Sequence, residues 1–108
     1  FSGFAFLANT GNITPASSAG YFNNGSGTIT YTLSAASAQG DYTIIMGGSN
    51  TTPWVLQANT GQVIHVGTAT TTSGGTVTAS TQFDAIGVVC VASNVFNAYL
   101  ITGNLVTA

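Results

Sequence analysis

Lysine, arginine and glutamate are absent from all 108 residues of this chain, and their absence limits the possible folds more than any other feature. These three residue types favour helices, whereas the threonine, valine, isoleucine and aromatic residues that are abundant here favour pleated, half-buried strands. Asp41 and Asp84 are the only side chains with a fixed charge. The composition therefore predicts an all-β protein with no significant helix.

Alternating apolar and polar residues support strands along the whole chain. Residues 28–33 place Ile29, Tyr31 and Leu33 on one face, and residues 42–46 also alternate. Residues 88–92 are apolar on both faces, which is typical of a central strand covered on both sides. Turn signals separate these runs, among them Gly40-Asp41 and Gly103-Asn104. Short strands with frequent turns predict an antiparallel, jelly-roll-like β-sandwich.

The first nineteen residues differ from the rest. Residues 1–19 contain Phe1, Phe4 and Phe6, followed by a linker-like stretch at residues 15–18. An apolar strand on a tether is what strand exchange between subunits would need, and it makes the three phenylalanines candidates for intersubunit packing. The alternative is an ordinary edge strand of the same domain. Residues 20–108 are expected to form a single β-sandwich domain.

The missing cations exclude several classes of partner and ligand. Without lysine or arginine the chain cannot neutralise phosphates, so we expect no nucleic-acid binding. It also lacks the basic surface that anionic membranes attract. No apolar run approaches the about 18 residues of a transmembrane helix, so membrane insertion is not expected. A protein with so few charges must cover its surface by assembly or glycan, or rely on hydroxyl and amide groups.

Few side chains offer catalytic chemistry, and we expect neither an enzyme nor a cofactor. A general acid–base pair would have to combine Asp41 and Asp84, although each also fits a turn beside a strand. His65 is expected at the surface or at an interface, where symmetry-related copies could bind a metal or anion. Cys90 lies in an apolar run and fits the role of a small hydrophobic residue.

Two kinds of glycan site are conceivable. Asn12, Asn24 and Asn50 each begin an N-x-S/T sequon and are candidate N-glycosylation sites, although all three also suit turns. Trp54, or a tyrosine, could stack on a sugar ring beside Asp84, which would make the chain a glycan-binding module. The alternative is that Trp54 belongs to the core.

From residue 20 onward, the order of motifs resembles a module that recurs in phage and prophage tail-fibre proteins and in long bacterial surface proteins. The matching positions are Gly20-Tyr21 with Asn23-Asn24, the strand at 29–33, Gly40-Asp41, Trp54, Gln57 with Asn59, Gly61-Gln62, Ile64 and Gly67, residues 71–74, Ser80-Thr81 with Asp84, Cys90, and Gly103-Asn104. The chain departs from the pattern at Ser34, Pro53 and Phe96, and residues 1–19 lie outside it.

The resemblance implies a non-catalytic structural or receptor-facing module, often at the end of a trimeric fibre. Together with the uncharged composition, it leads us to expect a self-assembling, extracellular or virion-surface module of a fibre, filament or tail appendage. Its partner would be further copies of itself, as a trimer or a helical polymer. The alternative is a receptor-recognition module that binds a cell-surface glycan.

Overall fold

A computed structural model describes residues 5–25, 27–49 and 53–108, apart from the side chains of Leu100 and Ile101. This part of the chain contains strands and turns but no helix. The strands are β1 (Ala5–Asn9), β2 (Ala19–Asn23), β3 (Ile29–Thr32), β4 (Tyr42–Met46), β5 (Trp54–Gln57), β6 (Val63–Val66), β7 (Ala69–Thr70), β8 (Thr76–Ala79), β9 (Ala85–Ala92), β10 (Val95–Thr102) and β11 (Leu105–Thr107). The prediction of an all-β protein is confirmed.

The strands form two sheets. The larger has the order β1-β2-β4-β9-β10-β6-β7, and the smaller has the order β11-β8-β5-β3. The expectation of purely antiparallel sheets is wrong, because β1/β2, β2/β4, β3/β5 and β6/β10 pair in parallel. For β2/β4 and β3/β5 the cause lies in the connections. From β2 to β5 the chain alternates between the sheets, so strands two apart in sequence become parallel neighbours.

Apolar side chains from both sheets form one core. Trp54, Tyr31 and Leu56 of the smaller sheet, and Ile45 and Ile86 of the larger sheet, are fully buried in it. The alternation predicted for residues 28–33 is confirmed, since Ile29, Tyr31 and Leu33 are all buried. At about 1.5–3 kcal/mol for each large apolar side chain, this burial is the main favourable contribution to folding.

The N-terminal strand belongs to the larger sheet. β1 pairs in parallel with β2 from Ala5↔Ala19 to Asn9↔Asn23, and it forms one edge of that sheet. This placement agrees with the edge-strand alternative within a single chain. Exchange of β1 between subunits stays a prediction.

Candidate assembly surface

One face of the larger sheet packs on the core, and no layer formed by the described residues covers the other. The pairing register sets which side chains point outward from β1, β2, β4, β9 and β10, since paired residues lie on the same face. We call this outward surface the apolar face. The paired residues on it are Phe6, Ala8, Gly20, Phe22, Tyr42, Ile44, Met46, Ala85, Gly87 and Val89. Two residues without a partner in the register are added to it: Tyr99, which lies beside Tyr42 and Val89, and the exposed Val91, two residues beyond Val89.

Two rows of the register run across four strands of the apolar face. The first aligns Phe6, Gly20, Ile44 and Gly87, and the second aligns Ala8, Phe22, Met46 and Ala85. The inward-pointing neighbours of Ile44 on β4 are Thr43 and Ile45, both buried. Ile44 itself stands between two glycines, so its side chain rises above its immediate neighbours in the row.

The apolar face remains accessible to solvent in the single chain. Phe6 is 43% exposed, Val91 is 40% exposed and Tyr99 is 50% exposed. Phe22, Tyr42, Ile44, Met46 and Val89 are half-buried because they pack beside one another. Large contiguous apolar patches on soluble proteins mark interaction surfaces more often than isolated exposed residues do.

Polar side chains of β10 and β6 lie at one border of the apolar face. Val89 pairs with Asn97, which in turn pairs with His65 of β6. His65 Nδ1 lies 2.9 Å from the Thr70 hydroxyl, within hydrogen-bonding distance. His65 therefore lies at the surface, as expected, and with Asn97 it places polar side chains beside Val89.

A bulge in β10 changes the pattern that its sequence suggests. Ala98 pairs with Val88, but Leu100 pairs with the next residue of β9, Gly87, so Tyr99 is the extra residue. The bulge places the half-exposed Tyr99 ring beside Tyr42 and Val89 in a shallow hollow.

The two carboxylates lie at opposite ends of β4. Asp41 directly precedes the strand, whereas the Asp84 carbonyl accepts a hydrogen bond from Gly47 N–H just after it. Six residue steps along a strand span roughly 20 Å, well beyond the roughly 10 Å limit for paired catalytic carboxylates. The general acid–base pair considered from the sequence is therefore excluded.

Asp84 is a buried structural carboxylate. It is 2% exposed and accepts hydrogen bonds from Ser80 N–H at 2.9 Å, from Thr81 N–H at 3.0 Å and from the Thr81 hydroxyl. Burial alone would raise its pKa, but these bonds and one from the Asn104 backbone hold the pKa of Asp84 below its ordinary value. Asp84 thus joins the loop before β9 to the turn between β10 and β11.

The glycan contact suggested for Trp54 and Asp84 is contradicted by their burial. Trp54 is 0% exposed, and its indole Nε1–H donates to the Asp84 carbonyl oxygen at 2.8 Å. Neither side chain can reach a sugar ring outside the protein. Trp54 is a core residue because its large apolar body fills the space between the sheets and its one donor has a buried partner.

Replacing Trp54 with phenylalanine should lower the free energy of unfolding by about 2–3 kcal/mol, because it leaves a void and removes the indole donor. Urea unfolding followed by circular dichroism measures this. Tyr99→Phe is the matched control: half-exposed Tyr99 should tolerate the change within about 0.5 kcal/mol. Equal stability of the two variants would contradict the core role of Trp54.

Cys90 is a buried free cysteine of β9. Cys90 is 1% exposed, its thiol donates to the Ala92 carbonyl, and burial raises its pKa. This agrees with the expected role as a small hydrophobic residue. Within residues 5–25, 27–49 and 53–108, no three histidine, cysteine or acidic side chains come together as a potential metal site. Nor does that part of the chain hold a helix long and apolar enough to cross a bilayer.

The structure describes only some of the remaining predicted site residues. Asn12 and Asn24 are exposed, and the Asn12 side-chain oxygen accepts from Thr30 N–H at 2.8 Å. Asn50, Phe1 and Phe4 lie outside the described residues. Phe6 lies on the apolar face, whereas the next residue, Leu7, points to the opposite side of β1. Phe6 is thus the one member of the phenylalanine set that the structure places on a candidate interface.

Sequence reasoning missed most of the apolar face. Its signal was present in residues 88–92, whose apolar residues on both faces predicted a strand covered on both sides. In the structure Val88 is buried, but Val91 remains 40% exposed, so the described residues cover only one of the two faces. No protein-family model matches this chain, and none of the curated proteins compared with it is a significant match.

Proposed function

We propose that this chain is a non-catalytic structural module that assembles with further copies of itself through the apolar face. It would form part of an extracellular fibre or filament, or of a phage tail appendage at the virion surface. The observation that carries the proposal is an uncharged, apolar sheet surface five strands wide. The tail-fibre-like motif order supports the same reading.

The size of the apolar face suits a subunit contact. Five strands about 4.8 Å apart, with three side-chain rows about 7 Å apart, span roughly 500 Å² in projection. A standard interface buries about 800 Å² on each partner, so the apolar face could supply more than half of one. Transferring these side chains from water to a contact would be favourable by about 25 cal/mol for each Å² buried.

The lack of charge favours a second copy as the occupant. No charged residue belongs to the apolar face, so an interface formed there removes no charged side chain from water. A partner with a charged surface would lose hydration and gain no counter-charge in return. Another copy offers the same uncharged surface, which can pair with itself around a symmetry axis.

Sedimentation velocity of the protein at micromolar concentration tests the proposal. We expect either an oligomer whose mass is a whole-number multiple of the 10.8 kDa chain mass or long polymers, and no monomer. Glycan on Asn12 or Asn24 would add mass to each subunit, and intact mass spectrometry separates that contribution. A monodisperse monomer at 100 µM or so would contradict assembly, since standard interfaces hold at far lower concentration.

Two neighbouring residues of β1 give a matched pair of variants. Phe6→Ser removes an apolar side chain from the apolar face, and should weaken association about fivefold, for a loss of about 1 kcal/mol. Leu7→Ser removes an apolar side chain of similar exposure, 52% against 43% for Phe6, from the other side of the same strand. Association should be unchanged in Leu7→Ser. Equal effects in the two variants would mean that β1 contributes only its backbone, or nothing.

A further inference from the structure

The edge strand β1 is attached to the larger sheet mainly by its backbone. All but the last of its five residues are exposed. Its two large side chains, Phe6 and Leu7, point to opposite faces and are 43% and 52% exposed. β2 is its neighbour in the sheet, and no described strand lies on its other side. An apolar, uncharged edge strand of this kind is usually paired or covered, so the single chain leaves most of the apolar surface of β1 unburied.

The segment that follows β1 is bound to the smaller sheet. The Asn12 side-chain oxygen accepts a hydrogen bond from Thr30 N–H at 2.8 Å. Ile13 lies beside β3, where its N–H donates to the Thr30 carbonyl at 3.2 Å and its carbonyl accepts from Thr32 N–H at 2.9 Å. These bonds do not involve β1. The chain from Asn12 onward can therefore stay in place when β1 separates from its sheet.

Thr10 and Gly11 form the hinge between β1 and this bound segment. Gly11 is exposed, and a Cβ added to it would meet no atom within 4 Å. In the closed arrangement Asn24 N–H donates to the Asn9 carbonyl at 2.8 Å, and the Asn9 side chain donates to the Gly11 carbonyl at 2.7 Å. The backbone freedom of glycine allows the chain to straighten here. Because no residue of β1 is buried, the strand can move away without opening the core.

We propose that in the assembled protein β1 of each copy leaves its own sheet and pairs in parallel with β2 of a neighbouring copy. The exchange rests on the proposed function, because a copy held at the apolar face presents its β2 edge at high local concentration. The register is the one found within the chain, with Ala5 beside Ala19 and Phe6 beside Gly20 of the neighbour. Identical backbone bonds replace those of the closed form, so exchange costs little. Each apolar face is then completed by Phe6 and Ala8 from another copy.

Disulfide trapping in the assembled protein tests the exchange. Ala5 and Ala19 are paired in the register, and paired residues of adjacent strands lie close enough for a disulfide. The variant Ala5→Cys with Ala19→Cys, made together with Cys90→Ala, is assembled under reducing conditions and then oxidised. Exchange links different chains, so a denaturing gel without reductant should show bands at multiples of the 10.8 kDa chain mass. The single-chain band alone would mean that β1 pairs within its own chain, and would overturn the proposal.

Two controls make the trap specific to this pairing. Ala5→Cys with Ala69→Cys places the second cysteine on β7, at the opposite edge of the same sheet, and should give no linked chains. Ala5→Cys alone should give none either. Linked chains in equal amount in either control would show contact between sheet edges in place of exchange. Sedimentation velocity before oxidation separates the two proposals: an assembled protein with internal disulfides contradicts the exchange alone, whereas a monomer contradicts the proposed function as well.

Discussion

Replacing Ile44 with lysine should weaken assembly at least 100-fold, which corresponds to about 3 kcal/mol. Ile44 lies near the middle of the apolar face, between Gly20 and Gly87 of the neighbouring strands. The two glycines leave room for the longer side chain, so the fold of the single chain should tolerate it. In the assembly, however, the ammonium group would be buried without a partner, because only two carboxylates exist in the chain and Asp84 is itself enclosed.

Val55→Lys is the matched control for this prediction. Val55 is a half-buried, β-branched residue at the centre of the smaller sheet, and it faces away from the core between Thr30 and Thr78. The same charge placed there should leave the sedimentation coefficient unchanged. If Val55→Lys dissociates the protein and Ile44→Lys does not, the contact lies on the smaller sheet, and the proposed assembly surface is wrong.

The strand content could be predicted from the sequence because it depends on local chemistry. The residues that favour helices are missing, and the alternation of Ile29, Tyr31 and Leu33 predicts the inward face of β3 directly. The turns could be predicted for the same reason, because they depend on single residues. Gly61 and Gly103 have φ angles of +88° and +90°, which glycine adopts without strain. Each of these features needs only a few neighbouring residues.

The sheet order and the candidate sites could not be predicted in the same way. Parallel pairing of β2 with β4 depends on the path of the chain through the other sheet, which no local pattern encodes. A small cleft is lined by Ser17, Asp41 and Val88, which are far apart in sequence. Trp54 and Asp84 carry the residue chemistry of a sugar site, yet both are buried. Trp54 fills the core and donates to the Asp84 carbonyl, and the Asp84 side chain accepts from Ser80 N–H.

Replacing Asp84 with asparagine should remove most of the acid sensitivity of folding and should cost about 2–4 kcal/mol at neutral pH. Both carboxylate oxygens accept hydrogen bonds, but the amide keeps only one acceptor oxygen. Its NH2 group would therefore face either the Ser80 and Thr81 N–H groups or the donors at the other oxygen, which leaves buried donors without partners. Because the folded-state pKa of Asp84 is lowered, its stabilising contribution is present above the unfolded value of about 3.9. That contribution is lost as the pH falls through the folded-state pKa.

The pH profile of unfolding measures this contribution with little interference. Asp41 is the only other acidic side chain, so few carboxylates compete with Asp84 for the acid effect. Urea midpoints should fall between pH 5 and pH 2 in the unaltered protein and should stay nearly flat in Asp84→Asn. Asp41→Asn, as control, should retain the fall. A profile that is the same in all three proteins would show that Asp84 does not stabilise the fold through its charge.

Gly103→Ala should also disrupt the hydrogen bonds of the Asp84 carboxylate, because Gly103 packs against it. Gly103 has a φ of +90°, and an added Cβ would lie 1.7 Å from Asp84 Oδ1, so the carboxylate would have to leave its donors. Gly61→Ala isolates the backbone cost, because Gly61 has a φ of +88° and nothing within 4 Å of its added Cβ. We expect about 1–2 kcal/mol for Gly61→Ala and at least twice that for Gly103→Ala. Equal losses in the two variants would mean that the Asp84 contact adds nothing beyond the backbone strain.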